Sequence, residues 1–284
     1  MHLLPPSFFT SELAVPLLIL LKAFLILATA PGGRAHTSAF DSAELNSSPS
    51  GFLSQWQNAR ASYYAASDPR DNVGGACGYG DLQRGGYGLA TAGLSEALYK
   101  RGQICGACFE IRCVNDLKWC IPATSIIVTA TNFCAPNYGF AADAGGKCNP
   151  PNEHFVLPIE AFEKIAMWKA GNTAIQYRRI SCRKDGGIRF TITGSKYFIS
   201  VLISNVAGAG DITAVKVKGS KTGWLPMGRN WGQNWQIISD LKNQPLSFEV
   251  TNSDGITVTS YNVVPKDWDF HQTFEGKQQF ASNP

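Results

Sequence analysis

Eight cysteines, at positions 77, 105, 108, 113, 120, 134, 148 and 182, carry the most legible chemistry in the chain. Thiols at this density either close disulfides or ligate a metal. A zinc site would draw on Cys105 and Cys108 with Cys113 and Cys120, but their spacing is irregular and only four histidines exist to complete a ligand set. An even count behind an apolar leader favours a disulfide framework made in an oxidising compartment. No metal and no cofactor is expected. A second chemistry belongs to rings: Trp224, Trp231 and Trp235 fall within twelve residues, and flat rings on a sheet surface can stack on the axial C–H faces of sugars. The competing place for tryptophan is the core, and at least one of the three belongs there.

The leader is the run from Ala14 to Ala30, almost wholly apolar and followed by small residues, which reads as a secretory signal cut after Ala30 or near Ala35. Lys22 splits it into pieces shorter than the roughly 20 apolar residues of a membrane span. Residues 1–35 are therefore expected to leave as a signal peptide, and the mature protein to have no integral span, with at most peripheral membrane contact during export. The Ser-rich segment 36–54 reads as flexible and holds Asn46, an N-glycosylation acceptor. All eight cysteines precede Gly186, which predicts a stapled domain over 55–183 and a second domain over 187–284 that folds on its apolar core, with the joint at Lys184 to Gly187. A net charge of +4 is too mild for a nucleic-acid binder and suits an acidic, pectin-bearing surrounding.

These groups must be held by short strands. The first half, from Trp56 to Cys182, is rich in glycine and turn residues, with β-branched runs at Cys108 to Val114 and Ser125 to Thr131, and reads as a compact barrel. Two helices are expected, one from about Thr91 to Arg101 and one from Pro158 through Phe162, Ile165 and Ala166 to Gly171. In the second half Ile188, Phe190 and Ile192 alternate with Arg189 and Thr191, and Ile199, Val201 and Ile203 with Ser200, Leu202 and Ser204. Phe198 falls on the wetter side of that second run. Further runs at Ala214 to Lys218, Leu246 to Thr251 and Thr257 to Val264 complete a small β-sandwich.

The segments GGACGYG (Gly74 to Gly80), CGACFEIRC (Cys105 to Cys113), CVNDLKWC (Cys113 to Cys120), TATNFC (Thr129 to Cys134), CNPP (Cys148 to Pro151), YRRISC (Tyr177 to Cys182) and GWLPMGRNWGQNW (Gly223 to Trp235) resemble alpha-expansins in order and spacing. The match runs from Trp56 onward, and the insertion between Cys134 and Cys148 resembles the alpha branch. The resemblance implies a mainly β protein: a six-stranded double-psi β-barrel, similar to family-45 glycoside hydrolases, followed by an immunoglobulin-like β-sandwich that binds carbohydrate. It also implies the pairings Cys77 with Cys105, Cys108 with Cys182, Cys113 with Cys120 and Cys134 with Cys148.

Hydrolysis on that barrel would need two carboxyls flanking one glycosidic bond. The related hydrolases take their acid from a His-Phe-Asp triplet, which here reads His154, Phe155, Val156, and valine has no proton to give. Glu153 would share the parity of Phe155 and point away from Val156. The resemblance places Ser62, Tyr64 and Asn132 in a polysaccharide cleft; Asp71, just before the glycines, is read as a polar partner there and His154 as a structural residue or a hydrogen-bond donor to sugar. It also places Phe198 and Trp231, with Trp224 and Tyr197 in support, on a cellulose-binding platform, leaving Trp235 to the core. Arg60 stands where the family has histidine, Ala65 and Ala66 where it has glycines, and Lys147 where it has tryptophan. The expected function is a secreted, monomeric, non-hydrolytic wall-loosening protein that binds cellulose and xyloglucan; the alternatives are an inactive wall-binding protein and an endoglucanase.

Overall fold

The computed structural model describes residues 55–64, 75–141 and 145–282. The expected signal peptide, the segment 36–54 with Asn46, and Ala65, Ala66 and Asp71 lie outside the described residues.

Six strands close into a barrel: β1 (Gln57–Tyr64), β2 (Thr91–Leu94), β3 (Cys108–Cys113), β4 (Ile126–Phe133), β5 (His154–Pro158) and β6 (Asn172–Ile180), hydrogen-bonded in the order β1-β5-β2-β4-β3-β6. Pairs β1–β5 and β2–β4 are parallel and the rest antiparallel. Closure leaves no edge to protect, and alternate residues fill the interior: Phe109, Ile111, Val128, Phe155, Leu157 and Ile175 are all buried. The helix expected from Thr91 is a correction. Thr91–Leu94 is a strand buried on both faces between β4 and β5, and a continuous apolar run cannot separate a buried strand from a buried helix. One helical turn, α1 (Glu96–Tyr99), follows, ended by positive φ at Lys100 and Arg101. The second expected helix is likewise reduced to one turn, α2 (Ile159–Phe162). Beyond it the chain bends so that Ile165 accepts from Ile121 N and Met167 donates to Trp119 O.

Four disulfides join Cys77 to Cys105, Cys108 to Cys182, Cys113 to Cys120 and Cys134 to Cys148, the partners the resemblance implies. Among the described residues no group of His, Cys, Asp and Glu side chains is arranged to hold a metal ion.

The second half contains β7 (Arg189–Gly194), β8 (Phe198–Ser204), β9 (Ile212–Gly219), β10 (Leu225–Trp231), β11 (Asn234–Ile238), β12 (Leu246–Asn252), β13 (Thr257–Val264) and β14 (Thr273–Glu275), in the order β13-β12-β9-β10-β11-β8-β7-β14. Strand β10 pairs with β9 through Leu225–Met227 and with β11 from Gly228 on, passing from one layer to the other. Phe190 of β7 stacks on Phe248 of β12, ring centroids 4.6 Å apart, so strands distant in the pairing order face each other across a sandwich core. Ile188, Phe190 and Ile192 are fully buried while Arg189 and Thr191 are not, as the period of two predicts.

Polar contacts lock the barrel to the sandwich. Cys182 and Gly208 exchange backbone bonds of 2.7 and 3.0 Å. The fully buried Gln233 donates its side-chain amide to Cys105 O (2.7 Å) and its backbone N–H to Cys77 O (3.0 Å). Asn205 Nδ2 donates to Asp185 O and Gly187 O, which ties down the expected joint.

Candidate functional site

Pairing sets one row of residues across four neighbouring strands: Ser62 of β1 opposite Val156 of β5, Val156 opposite Gly93 of β2, and Gly93 opposite Asn132 of β4. The inward neighbours Ala61, Phe155 and Leu157 are buried in the barrel core. Strand alternation therefore turns Ser62, Tyr64, His154 and Val156 to the outer side. Gly93 carries no side chain, so the row dips between Val156 and Asn132.

His154 Nε2 lies 2.8 Å from Ser62 Oγ. The histidine is 1% exposed, and its backbone N–H donates to Ser95 Oγ, which in turn donates to Asn152 O. Burial foremost, then the charges of Lys147 and Arg60, lower its pKa to about 4, so the imidazole is neutral at ordinary pH. A Ser–His contact is half of a nucleophilic triad, but no carboxylate orients this imidazole among the described residues, and Ser62 is only 6% exposed. The pair is a fixed hydrogen-bonding floor. Asn132 Oδ1 accepts from Ala76 N (2.9 Å) and from Phe133 N (2.8 Å), so its carbonyl end anchors the adjacent loop while the residue remains exposed.

Beside His154 opens a groove of about 710 Å³ whose lining includes Asn58, Arg60, Lys147, Glu153 and Asn172. Glu153 is its one carboxylate among the described residues. Glu153 Oε2 accepts from Tyr177 OH (2.9 Å), and the Tyr177 ring packs on Phe155 at 5.0 Å. Glu153 precedes β5 instead of lying within it, yet its side chain is engaged on the Phe155 side, away from Val156.

On the sandwich, the registers of β8, β11 and β10 put Phe198 opposite Ile238, Ser200 opposite Gln236, Leu202 opposite Asn234, and Asn234 opposite Trp231. These residues share one outer face. Phe198, Ile238 and Trp231 are exposed on it, and Tyr197, just before β8, is exposed as well. Ile238 follows Ile237 directly, and the sequence alone does not show which of the two faces solvent. Trp235 opposes Val201 and is buried, its Nε1 donating to Gln233 Oε1. Trp224 does not join this face. It precedes the β9-paired half of β10 and lies against Lys218 of β9 and Tyr261 of β13, on the outer side of the other layer. The grouping of Trp224 with Phe198 and Trp231 is thereby corrected: β10 changes layers between Met227 and Gly228.

Trp231 reaches the barrel. A Cβ placed on Gly78, whose φ is +86°, would stand 3.2 Å from the Trp231 ring and 2.2 Å from Asn234 Nδ2. The loop that Asn132 holds through Ala76 thus reaches Trp231 at Gly78.

Residues 188–265 match the family model for the expansin C-terminal domain, and residues 91–177 match one described as lytic transglycolase. The chain is 70% identical over 258 residues to Expansin-A13 of Arabidopsis thaliana, covering 91% of this chain and 97% of that protein. It is 61% identical over 260 residues to Expansin-A10 of Oryza sativa subsp. japonica, covering 92% and 97%. Among solved structures, an apo expansin of Clavibacter michiganensis superposes with a TM-score of 0.62 at 17% identity, over 80% of this chain and 98% of that one. A point mutant of that bacterial protein in complex with cellohexaose gives 0.61 at 17% identity with the same coverage. At that identity the likeness concerns the fold alone.

Proposed function

The chain belongs to the expansin-A family, and from that premise we propose that it is a secreted, monomeric plant wall protein that loosens contacts between polysaccharides by binding them, without cutting a covalent bond. The observation that supports this reading is the series of neighbours that runs from Ser62, His154 and Val156 across Gly93 to Asn132, and from the loop Asn132 holds to Trp231. The sheet face docks on cellulose or xyloglucan through Trp231, Phe198 and Tyr197, each ring adding about 1 kcal/mol beyond its buried area. The barrel row then competes for hydroxyls that hold glucans to one another. Ser62, Tyr64 and Asn132 serve as hydrogen-bonding groups; Asp71 joins them as the polar neighbour the sequence assigns. His154 holds Ser62 in place.

Lack of hydrolysis follows from position 156. Glycoside cleavage by paired carboxyls requires an acid at the row and a partner across the scissile bond. Valine occupies the first position, and the only groove carboxylate among the described residues, Glu153, is bonded to Tyr177. The match to a model described as lytic transglycolase raises the enzymatic reading again, and the lack of a free acid in the groove among the described residues opposes it. A groove that binds without chemistry matches the third possibility, a wall-binding protein with no loosening activity, equally well in structure.

Creep separates the readings. Heat-inactivated wall strips held under load should extend on adding the protein as it stands, with no release of reducing ends. Extension only after Val156→Asp would favour the binding-only reading, extension with neither form would sink loosening, and reducing ends abolished by Glu153→Gln would establish a hydrolase.

A further inference from the structure

We propose that the groove beside His154 binds a uronate-bearing polysaccharide, with Arg60 and Lys147 receiving its carboxylates. This deepens the reading above and rests on it for the protein's place among wall polymers.

Arg60 and Lys147 both line the groove. Arg60 is fixed there: Nε donates to Asn172 Oδ1 (3.1 Å) and Nη2 to Asn172 O (2.9 Å), while Nη1 makes no hydrogen bond among the described residues. A guanidinium pinned along one edge presents the other to a planar carboxylate at little entropic cost. Elsewhere in the molecule Arg178, Arg179 and Arg189 each hold a carboxylate, whereas neither Arg60 nor Lys147 forms an ion pair among the described residues. The one acidic lining residue among the described residues, Glu153, shares the Tyr177 hydroxyl with Gln57, so that two lining cations face one engaged carboxylate there. Both lie near enough to His154, which shares that lining, for their charges to disfavour its protonation. A neutral glucan would leave these two charges unanswered, and a uronate chain answers them.

The test compares de-esterified homogalacturonan oligomers with fully methyl-esterified ones of equal length, the second having the same backbone without the charge. By calorimetry at low salt the protein should prefer the acid form about tenfold. Arg60→Gln/Lys147→Gln should reduce the preference below threefold. Lys147→Gln alone, which breaks no hydrogen bond, should bring it to about threefold and guards against disturbance of β1 by the double change. Lys266→Gln/Lys277→Gln removes the same charge from exposed positions on the sandwich and should leave the preference intact. Equal binding of acid and ester, a preference that survives the Arg60/Lys147 change, or equal loss in the sandwich control would overturn the assignment. Retention on microcrystalline cellulose, scored on the same protein, addresses the sheet face separately: its failure beside an intact uronate preference would sink the earlier reading and leave this one standing.

Discussion

Ser62 Oγ and His154 Nε2 lie 2.8 Å apart although 92 residues separate them in sequence; on the outer side of the paired strands β1 and β5 the histidine is 1% exposed and the serine keeps 6%. The imidazole is buried neutral, with its pKa lowered from 6.5 to about 4 by burial first and then by Lys147 and Arg60.

That contact sets a pH dependence of stability. The unfolded chain takes up a proton on His154 near 6.5 and the folded one only near 4, so the unfolded state binds more protons in between. Stability should be full above that window and fall as pH drops from about 6.5 to 4, by on the order of 3 kcal/mol from this group. Urea unfolding at a series of pH values measures it. His154→Gln should flatten the slope, and an unchanged slope in that variant would remove His154 as its source.

Gly78 predicts a cost at the junction. With φ at +86° and Asn234 Nδ2 only 2.2 Å from a built Cβ, Gly78→Ala forces either the loop or Trp231 to move. A loss of about 1–3 kcal/mol is expected, together with weaker cellulose retention because Trp231 shifts. Gly223→Ala is the control, since nothing lies within 4 Å of a Cβ there. Equal denaturation midpoints for the two variants would contradict the close approach.

The sandwich was legible in the sequence because its strands bury one face each, and period-two alternation at Ile188, Phe190 and Ile192 reports that directly. The barrel was less so. Its strand β2 is four residues long and buried on both faces, so Thr91–Leu94 shows no period of two to set it apart from the helical turn Glu96–Tyr99 that follows. Valine at the end of the His154–Val156 triplet is plain in the sequence, and its reading as a replaced acid rests on the resemblance to family-45 hydrolases. The meeting of Arg60 and Lys147 in one groove, and the layer change that parts Trp224 from Trp231, could not be read there: the first joins residues 87 positions apart in sequence, and the second depends on a switch of partners inside one strand.

Separate faces predict separate effects for the rings. Trp231→Ala and Phe198→Ala should each weaken retention on cellulose about threefold to tenfold, the equivalent of about 1 kcal/mol of lost stacking. Trp224→Ala, on the opposite layer, should change it by less than about twofold. Depletion assays on microcrystalline cellulose decide this, and a Trp224 effect as large as that of Trp231 would mean that the sheet face around Phe198 is not the docking surface.

Restoring an acid at position 156 tests the chemistry of the row itself. Val156 and His154 sit two residues apart on the same side of β5, about 7 Å along the strand. An aspartate there would place a negative charge near the imidazole and raise the pKa of His154 by on the order of one unit. Histidine resonances followed by NMR should therefore titrate at higher pH in Val156→Asp than in the parent. Among the described residues the new carboxyl would still lack a free partner, because the groove's one carboxylate there, Glu153, is engaged by Tyr177. No reducing ends should be released from cellulose or xyloglucan by this variant. Sustained release would mean that a second acid reaches the row, and the assignment of Glu153 as an engaged, non-catalytic carboxylate would fall.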